Sequence, residues 1–233
     1  MRYQELFEWS TDVLASVNNK PGFQVWFGES KVVDRDGLPL PVFHYTSAQF
    51  EVSNFHPFSH FGSDKAAMAI WQHRYDLGDK PGRIRQKTLN RITQNPDAFY
   101  WKNDGRHGRD DVQHRTIPVF LRIEKPLRIE DHGDAHRPEV FLHILRDLGL
   151  YEPDFDELHR LAKKRRLPDN FGTGLSRLLH VYSDEKMNSI ILDVMRNAGY
   201  DGFVYKNLKE HKGSRSWIIL DPYQVRSVFE FLG

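Results

Sequence analysis

Residues 116–124 read TIPVFLRIE, and this stretch decides the fold class of the chain. Every second side chain is apolar, which is the period of a β-strand that buries one face. These side chains are Ile117, Val119, Leu121 and Ile123. Shorter strand patterns occur upstream, in the run that ends at His44-Tyr45-Thr46, and near the C-terminus. The C-terminal patterns are DGFVYK at 201–206, SWIILD at 216–221 and QVRSVFEF at 224–231.

Helical periods fill the segment 137–198. One helix is predicted from Pro138 to Gly149, a second and more basic one over 155–166, and a third that Gly199 closes. Strand and helix patterns are therefore segregated along the chain and do not alternate. Segregation of this kind predicts an α+β fold and not a parallel doubly wound sheet.

The N-terminal part carries helix, turn and edge-strand signals. Residues 1–22 predict an amphipathic helix that is ended by Asn18-Asn19 and Pro21-Gly22. Asp36-Gly37 predicts a hairpin turn. Pro39 and Pro41 favour a short edge strand in the run that follows, because proline cannot donate to a sheet ladder.

Two further segments lie between these strands. Ser63-Asp64 predicts the start of a helix. The segment 80–115 has no clear period and carries nine Lys and Arg residues against four Asp residues. It predicts a long basic insertion in the domain.

Composition excludes several classes of function. A length of 233 residues fits a single domain over 1–233, and a net charge of +1 favours neither a wholesale nucleic-acid binder nor an acidic-target protein. The absence of cysteine excludes disulfides, thiol nucleophiles and cysteine zinc sites, and the histidines show no metal-ligand spacing. Without a secretion signal or a long apolar run, we expect a soluble, cytoplasmic protein that needs no metal.

Two short motifs carry side chains suited to ligand binding. His44-Tyr45-Thr46 at a strand end is either a hydrogen-bonded core histidine beside a packing tyrosine, or a strand edge that binds sugar hydroxyls. In Phe61-Gly62-Ser63, the glycine allows a close backbone approach. Ser63 is either an ordinary helix cap or the start of a helix that receives a phosphate.

Four blocks of the chain resemble, in the same order, the phage- and prophage-associated ADP-ribosyltransferases. The blocks together cover about a third of the chain. They are WFGESKVVDRDGLPLPVFHYTS at 26–47, HFGSDKAA at 60–67, TIPVFLRIEKPLRIEDHG at 116–133 and AGYDGFVYKNLKEHKGSRSWIILDPYQVRSV at 198–228.

The resemblance implies a split β-sheet sandwich with a cleft for NAD⁺, extended by an N-terminal helix and a central helical insertion. The implied reaction breaks the bond between nicotinamide and the ribose anomeric carbon and transfers ADP-ribose to a macromolecule. Its transition state resembles that of glycoside cleavage, with positive charge developing on the ribose. Such a site needs clamps on the ribose hydroxyls, a flat apolar partner for nicotinamide and a nearby carboxylate.

The resemblance also assigns NAD⁺-binding residues. His44 matches the histidine that holds the ribose, and Tyr45 and Thr46 match nicotinamide-contacting positions. The usual residue after this histidine is small, so Tyr45 is a departure that would narrow the pocket. Phe61, Gly62 and Ser63 match the segment of the second sheet.

The catalytic carboxylate is the point at which the chain departs from many members of the superfamily. The usual glutamate position at the start of a C-terminal strand is occupied by Ser216, which the resemblance includes among the expected NAD⁺-binding residues. Glu210 matches an acid that phage-type members carry before this strand, so it is the expected catalytic carboxylate, assisted by Asn207. The alternative is that Glu210 is a solvated loop residue.

The acceptor is expected to be a nucleic acid, RNA in particular, or a protein. The Glu-x-Glu pair of arginine-modifying relatives is absent, which disfavours arginine. Cations alternate with aromatic rings in the segment 80–115, which suits RNA, although a solvated loop has the same composition. Family company suggests a toxin, effector or phage-conflict protein with an antitoxin or immunity protein as partner.

Three alternatives stay open at this point. An NAD⁺ glycohydrolase would use the same site with water as acceptor. A catalytically inactive relative would follow from Ser216 replacing the usual glutamate. An RNA-binding module based on residues 80–115 would bind RNA in a salt-sensitive way without any enzymatic activity.

Overall fold

Two four-stranded sheets and their flanking helices form the part of the protein that the computed structural model describes. This part comprises residues 10–46, 55–69, 101–102, 113–133, 137–166, 175 and 179–231, with only the backbone described at 46, 101–102 and 113–115. One sheet is antiparallel and the other is mixed. The mixed α+β composition predicted from the segregated patterns is therefore confirmed.

The first sheet is built around the strand predicted from TIPVFLRIE. This strand, β4 (Gln113–Leu121), pairs antiparallel with β1 (Val42–Thr46), β3 (Trp101–Lys102) and β8 (Val225–Ser227). Val119 is in register with Val42 on one side and Ser227 on the other, so β4 is central. The proline-flanked β1 lies at the edge, as predicted.

The second sheet has the strand order β2-β7-β6-β5. Its strands are β2 (His60–Phe61), β5 (Pro126–Ile129), β6 (Gly202–Lys206) and β7 (Arg215–Ile219). Strands β5 and β6 are parallel, and a parallel pair requires a long crossover connection. The predicted helical segment provides it through α3 (Pro138–Asp147), α4 (Phe155–Lys164) and α5 (Asp184–Asn197).

The two faces of the second sheet bury different cores. Phe203 of β6 and Ile218 of β7 pack with the crossover helices. Their neighbours Val204 and Trp217 pack against the first sheet. Because consecutive side chains of a strand point to opposite faces, these four residues show which face every other residue of β6 and β7 occupies.

The N-terminal prediction was wrong in one respect. Helix α1 (Thr11–Asn18) ends close to where expected. A second helix, α2 (Pro21–Phe27), begins at Pro21, which was predicted to help end the first helix. Proline is favoured in the first turn of a helix because its missing N–H has no helical partner there. Phe23 of this helix packs edge-on against Phe120 of β4. Residues 1–9 lie outside the described part.

The predicted insertion at 80–115 is also corrected in part. Two of its pieces are strands of the first sheet: β3, and Gln113–Arg115 at the start of β4. Thr46 of β1 is in register with Arg115, so backbone pairing extends the strand into a polar stretch that side-chain periodicity does not report. The rest of 80–115 lies outside the described residues.

The predicted hairpin turn at Asp36-Gly37 is present. Asp34 Oδ1 accepts hydrogen bonds from the backbone N–H of Asp36 and of Leu38, at 2.9 Å each. Gly37 has a φ of +82°, a conformation that glycine adopts without strain. Within the described residues, the helices are too short or too polar to cross a lipid bilayer.

Gly202, at the start of β6, is a position where a methyl group does not fit. A Cβ there would lie 2.9 Å from the carbonyl oxygen of Ile218 and 2.9 Å from Ile123 Cγ2. We expect Gly202→Ala to lower the free energy of unfolding by about 1–3 kcal/mol in denaturant titrations, since overpacking forces the backbone to shift. Gly22→Ala is the matched control, because nothing lies within 4 Å of its Cβ position. An equal loss in both variants would contradict the steric explanation.

Candidate functional site

Segment 60–63, which contains β2, contacts both the strand that carries His44 and the hairpin between β6 and β7. Gly62 and Phe43 exchange two backbone hydrogen bonds, at 2.8 and 3.0 Å. The carbonyl oxygen of His60 accepts a hydrogen bond from Nδ1 of His44 at 2.7 Å. This segment joins the two sheets at one end of the core between them.

The imidazole of His44 is half-buried and held by rings and a carbonyl group. Its centroid lies 5.0 Å from that of Phe55 and 5.3 Å from that of Phe61. A carbonyl oxygen only accepts, so Nδ1 carries the proton and the tautomer of the neutral ring is fixed. His44 is therefore oriented by the protein itself, on the side of β1 that faces the second sheet.

The strand does not bring all three residues of the His-Tyr-Thr triplet to one surface. Consecutive side chains of a strand point to opposite faces, so Tyr45 lies on the other face of β1 from His44. Thr46 ends the strand, opposite Arg115. Its side chain lies outside the described part.

The loop 207–214, which joins β6 to β7, is closed by its own backbone and by Asn207. The backbone N–H of Asn207 donates to Ser214 O, and that of Gly213 donates to Asn207 O, both at 2.8 Å. The buried amide Nδ2 of Asn207 donates to Ser216 Oγ at 2.6 Å and to Ser214 Oγ at 3.1 Å. Asn207 thus holds the loop in shape, and Ser216 is buried beneath it.

A chain of hydrogen bonds continues from Ser216 to His60. Burial raises the pKa of Tyr205, a hydrogen bond from Ser216 lowers it, and the charges of Glu210 and Asp131 raise it further. The phenol is therefore protonated near neutral pH, and its oxygen lies 3.2 Å from Nδ1 of His60. Each hydroxyl has one proton to donate. Asn207 donates to Ser216, so Ser216 donates to Tyr205 and Tyr205 donates to His60, and the hydrogen bonds all run in the same direction.

Glu210 has a buried oxygen atom that makes no hydrogen bond. Its Oε2 is shielded from solvent and has no donor among the residues that the structure describes. Its charge contributes to the raised pKa of Tyr205, so the two groups are near each other. A buried polar atom of this kind is uncommon, since it costs free energy until a partner satisfies it.

His211, next to Glu210, fastens the loop to segment 60–63. Its Nδ1 lies 2.7 Å from Ser63 Oγ, and the same oxygen accepts a hydrogen bond from the backbone N–H of Ala66 at 3.1 Å. Ser63 therefore caps the helical residues 64–69, as the ordinary interpretation predicted. The side-chain oxygen is engaged within the protein at this helix start.

Gly62 is a position where a side chain would meet β7 and the following helix. A Cβ there would lie 2.8 Å from Ser216 Oγ and 3.2 Å from the Cβ of Ala66. The close approach that the glycine allows is therefore made by other parts of the protein. Its role in NAD⁺ binding stays a prediction.

The predicted site residues gather around β2 but lie on both of its faces. Phe61 and the ring of His44 belong to the side that faces the first sheet. Ser216 and Asn207 belong to the other side, because Ser216 alternates with Trp217 along β7. Segment 60–63 thus separates the histidine from the amide and serine.

Sequence inspection missed three residues of this arrangement: His60, Tyr205 and His211. His60 and Tyr205 lie within the quoted blocks at 60–67 and 198–228, and His211 follows the predicted acid directly. Their contacts depend on the pairing of β2 with β7 and of β7 with β6, which no spacing in the sequence indicates.

The described residues include no cluster of three or more His, Asp or Glu side chains that could hold a metal ion. Comparison of the chain with protein-family models, with curated proteins and with solved structures finds no match.

Proposed function

We propose that this protein is an NAD⁺-dependent ADP-ribosyltransferase. The observation that carries the proposal is the position of segment 60–63, which contacts His44 at one side and the loop of Glu210 at the other. These groups lie 166 positions apart in the chain, as their residue numbers give. They are also the groups that the resemblance to phage-associated ADP-ribosyltransferases assigns to catalysis.

The residues around this segment fit the chemical requirements of NAD⁺. The imidazole of His44 is oriented and supplies a polar group for a ribose hydroxyl. The rings of Phe55 and Phe61 are buried against this imidazole, so they hold it in the orientation that it would present to the ribose. The unsatisfied Oε2 of Glu210 supplies an acceptor that no protein donor occupies among the described residues.

In the proposed reaction, NAD⁺ supplies the anomeric carbon and nicotinamide as the leaving group. The carbon–nitrogen bond breaks with its electron pair moving to nicotinamide, an acceptor atom bonds to the carbon, and the acceptor loses a proton. Glu210 stabilises the positive charge that develops on the ribose, since a carboxylate in a water-poor site acts strongly on nearby charge. Asn207 and His211 are positioning residues that hold the loop of Glu210.

Because Ser216 occupies the usual glutamate position and has no carboxylate, we assign this role to Glu210. The Ser216 hydroxyl is buried and engaged with Asn207 and Tyr205, so it holds the hairpin together. We infer that the carboxylate has moved from the strand to the loop in this chain. From the resemblance to phage-associated enzymes we infer that the protein acts as a cytoplasmic toxin, effector or phage-conflict protein.

Incubation with labelled NAD⁺ and whole-cell lysate tests the proposal. We expect label in macromolecular material, and its sensitivity to nuclease or to protease identifies the acceptor as nucleic acid or protein. Nicotinamide release that proceeds at the same rate without any macromolecule would assign a glycohydrolase instead. Absence of both label and nicotinamide release would refute the proposal.

A further inference from the structure

The hairpin that carries Glu210 also carries a set of exposed cations. This set, which we term the cationic hairpin, consists of Lys206, Lys209, Lys212 and Arg215. Among the described residues, none of the four has a carboxylate within the 4.0 Å of an ion pair. Four cations and one carboxylate occupy ten consecutive positions of a chain whose net charge is only +1. This end of the second sheet therefore carries a local net positive charge.

Two of these cations face each other across the sheet. Lys206 and Arg215 are directly opposite in the antiparallel register of β6 and β7. Like charges at opposite positions destabilise a sheet, and no acid in the described residues compensates them at ion-pair distance. Lys206 is two positions from Val204, and Arg215 is two positions from Trp217, so both cations lie on the side of the sheet that His44 and Phe61 also face.

The hairpin loop extends along the whole end of the second sheet. On one side, Leu208 N–H donates to Asp131, which follows β5. The ammonium nitrogen of Lys209 lies 2.5 Å from the position that a Cβ on Gly133 would take. On the other side, His211 contacts Ser63 after β2. The strands β5 and β2 are three spacings apart in this sheet, or about 14 Å at about 4.8 Å each.

We propose that the cationic hairpin binds the phosphodiester backbone of a nucleic acid and delivers it to Glu210 as the acceptor of ADP-ribose. The inference rests on the proposed function in naming the acceptor. A nucleic-acid strand carries one charge per about 3.4 Å of its axis, so about four phosphates fit along an edge of about 14 Å. Lysine side chains bind such phosphates as point charges without selecting a sequence.

NAD⁺ alone does not account for these cations. Its two phosphates are adjacent and present one small anionic group, whereas the hairpin carries four exposed cations on both of its strands and on its loop. An acidic protein segment offers carboxylates without the regular spacing of a phosphodiester chain. A regular, extended polyanion fits the distribution best.

Binding of a labelled 20-nucleotide single strand, measured by fluorescence anisotropy without NAD⁺ at several salt concentrations, tests the inference. The variant replaces Lys206, Lys209 and Lys212 by Gln. Three lost phosphate contacts predict a fall of about 2 in the slope of log affinity against log salt, and at least about 10-fold weaker binding at low salt. The matched control replaces Lys163, Lys164 and Arg165 at the end of α4, which removes the same charge elsewhere.

Retained binding in the control, with loss in the hairpin variant, supports the inference. Equal loss in both variants, or no loss in the hairpin variant, would overturn it. Equal hairpin-dependent binding of polyglutamate would also overturn it, because that result indicates a protein acceptor. A loss of NAD⁺ binding in the hairpin variant would overturn it as well, because that result assigns the cations to NAD⁺. Because the assay contains no NAD⁺, it fails or succeeds independently of ADP-ribosyl transfer. Thermal unfolding checks the fold, and removing Lys206 opposite Arg215 is expected to leave the midpoint unchanged or raise it.

Discussion

Glu210→Gln is expected to lower the rate of nicotinamide release from NAD⁺ by at least about 100-fold. The substitution keeps the shape of the side chain but removes the negative charge that the proposed transition state requires. The buried Oε2 has no protein donor among the described residues, so the substitution breaks no hydrogen bond of this atom with them. Stability should therefore change little, and the effect should appear in kcat more than in KM, since the charge acts on a state that develops during the reaction.

Glu130→Gln is the control for this experiment. Glu130 is an exposed acid that follows β5 at the same end of the second sheet, so the control removes one charge from the same neighbourhood. We expect its rate to stay within about 3-fold of the original protein, because an exposed charge acts through solvent. If Glu210→Gln also retains a near-normal rate, Glu210 is a loop residue and the assignment of the acid is wrong.

The sequence patterns predicted the elements more successfully than their boundaries. The alternation in 116–124 identified β4, and the helical periods in 137–198 identified the helices α3, α4 and α5 in the described part of the crossover. Both signals arise because one face of the element is buried. The buried apolar residues then recur at a regular interval that can be recognised in the sequence. The second helix at Pro21–Phe27 was missed because proline and glycine signal both the end of one helix and the start of another.

The arrangement of the candidate site was less predictable for a physical reason. Which face a residue occupies follows from strand register, and the register of β2 with β7 depends on residues more than 150 positions apart. The quoted blocks identified His44, Asn207 and Ser216 as a group, but not their division between the two faces of segment 60–63. The roles of His60, Tyr205 and His211 follow from that division.

The division changes how the polar residues of the hairpin should be understood. The amide nitrogen of Asn207 and the hydroxyl of Ser216 are engaged in internal hydrogen bonds, so these groups shape the loop. Glu210, by contrast, has an unsatisfied oxygen within the described part of the protein. Asn207 and Ser216 thus shape the loop, while Glu210 provides the charge that we propose acts in the reaction. The two roles can therefore be tested with separate substitutions.

His44→Ala is expected to weaken NAD⁺ binding by at least about 10-fold and to slow nicotinamide release by a similar factor or more. Loss of a hydrogen bond to a bound ribose costs about 1–1.5 kcal/mol, which corresponds to a factor of about 10. The variant should also lose about 1–3 kcal/mol of stability, because the imidazole packs against two rings and donates to the carbonyl of His60. NAD⁺ affinity by calorimetry and unfolding in denaturant measure the two effects.

Phe55→Leu separates a binding histidine from a core histidine. The buried ring of Phe55 packs against His44 at 5.0 Å between centroids, so its replacement loosens the same packing while the imidazole stays in place. We expect a comparable loss of stability, with NAD⁺ affinity within about 3-fold of the original protein. If the two variants bind NAD⁺ equally well at matched stability, then His44 is a packing residue held by His60. The ribose clamp would then have to be sought elsewhere around segment 60–63.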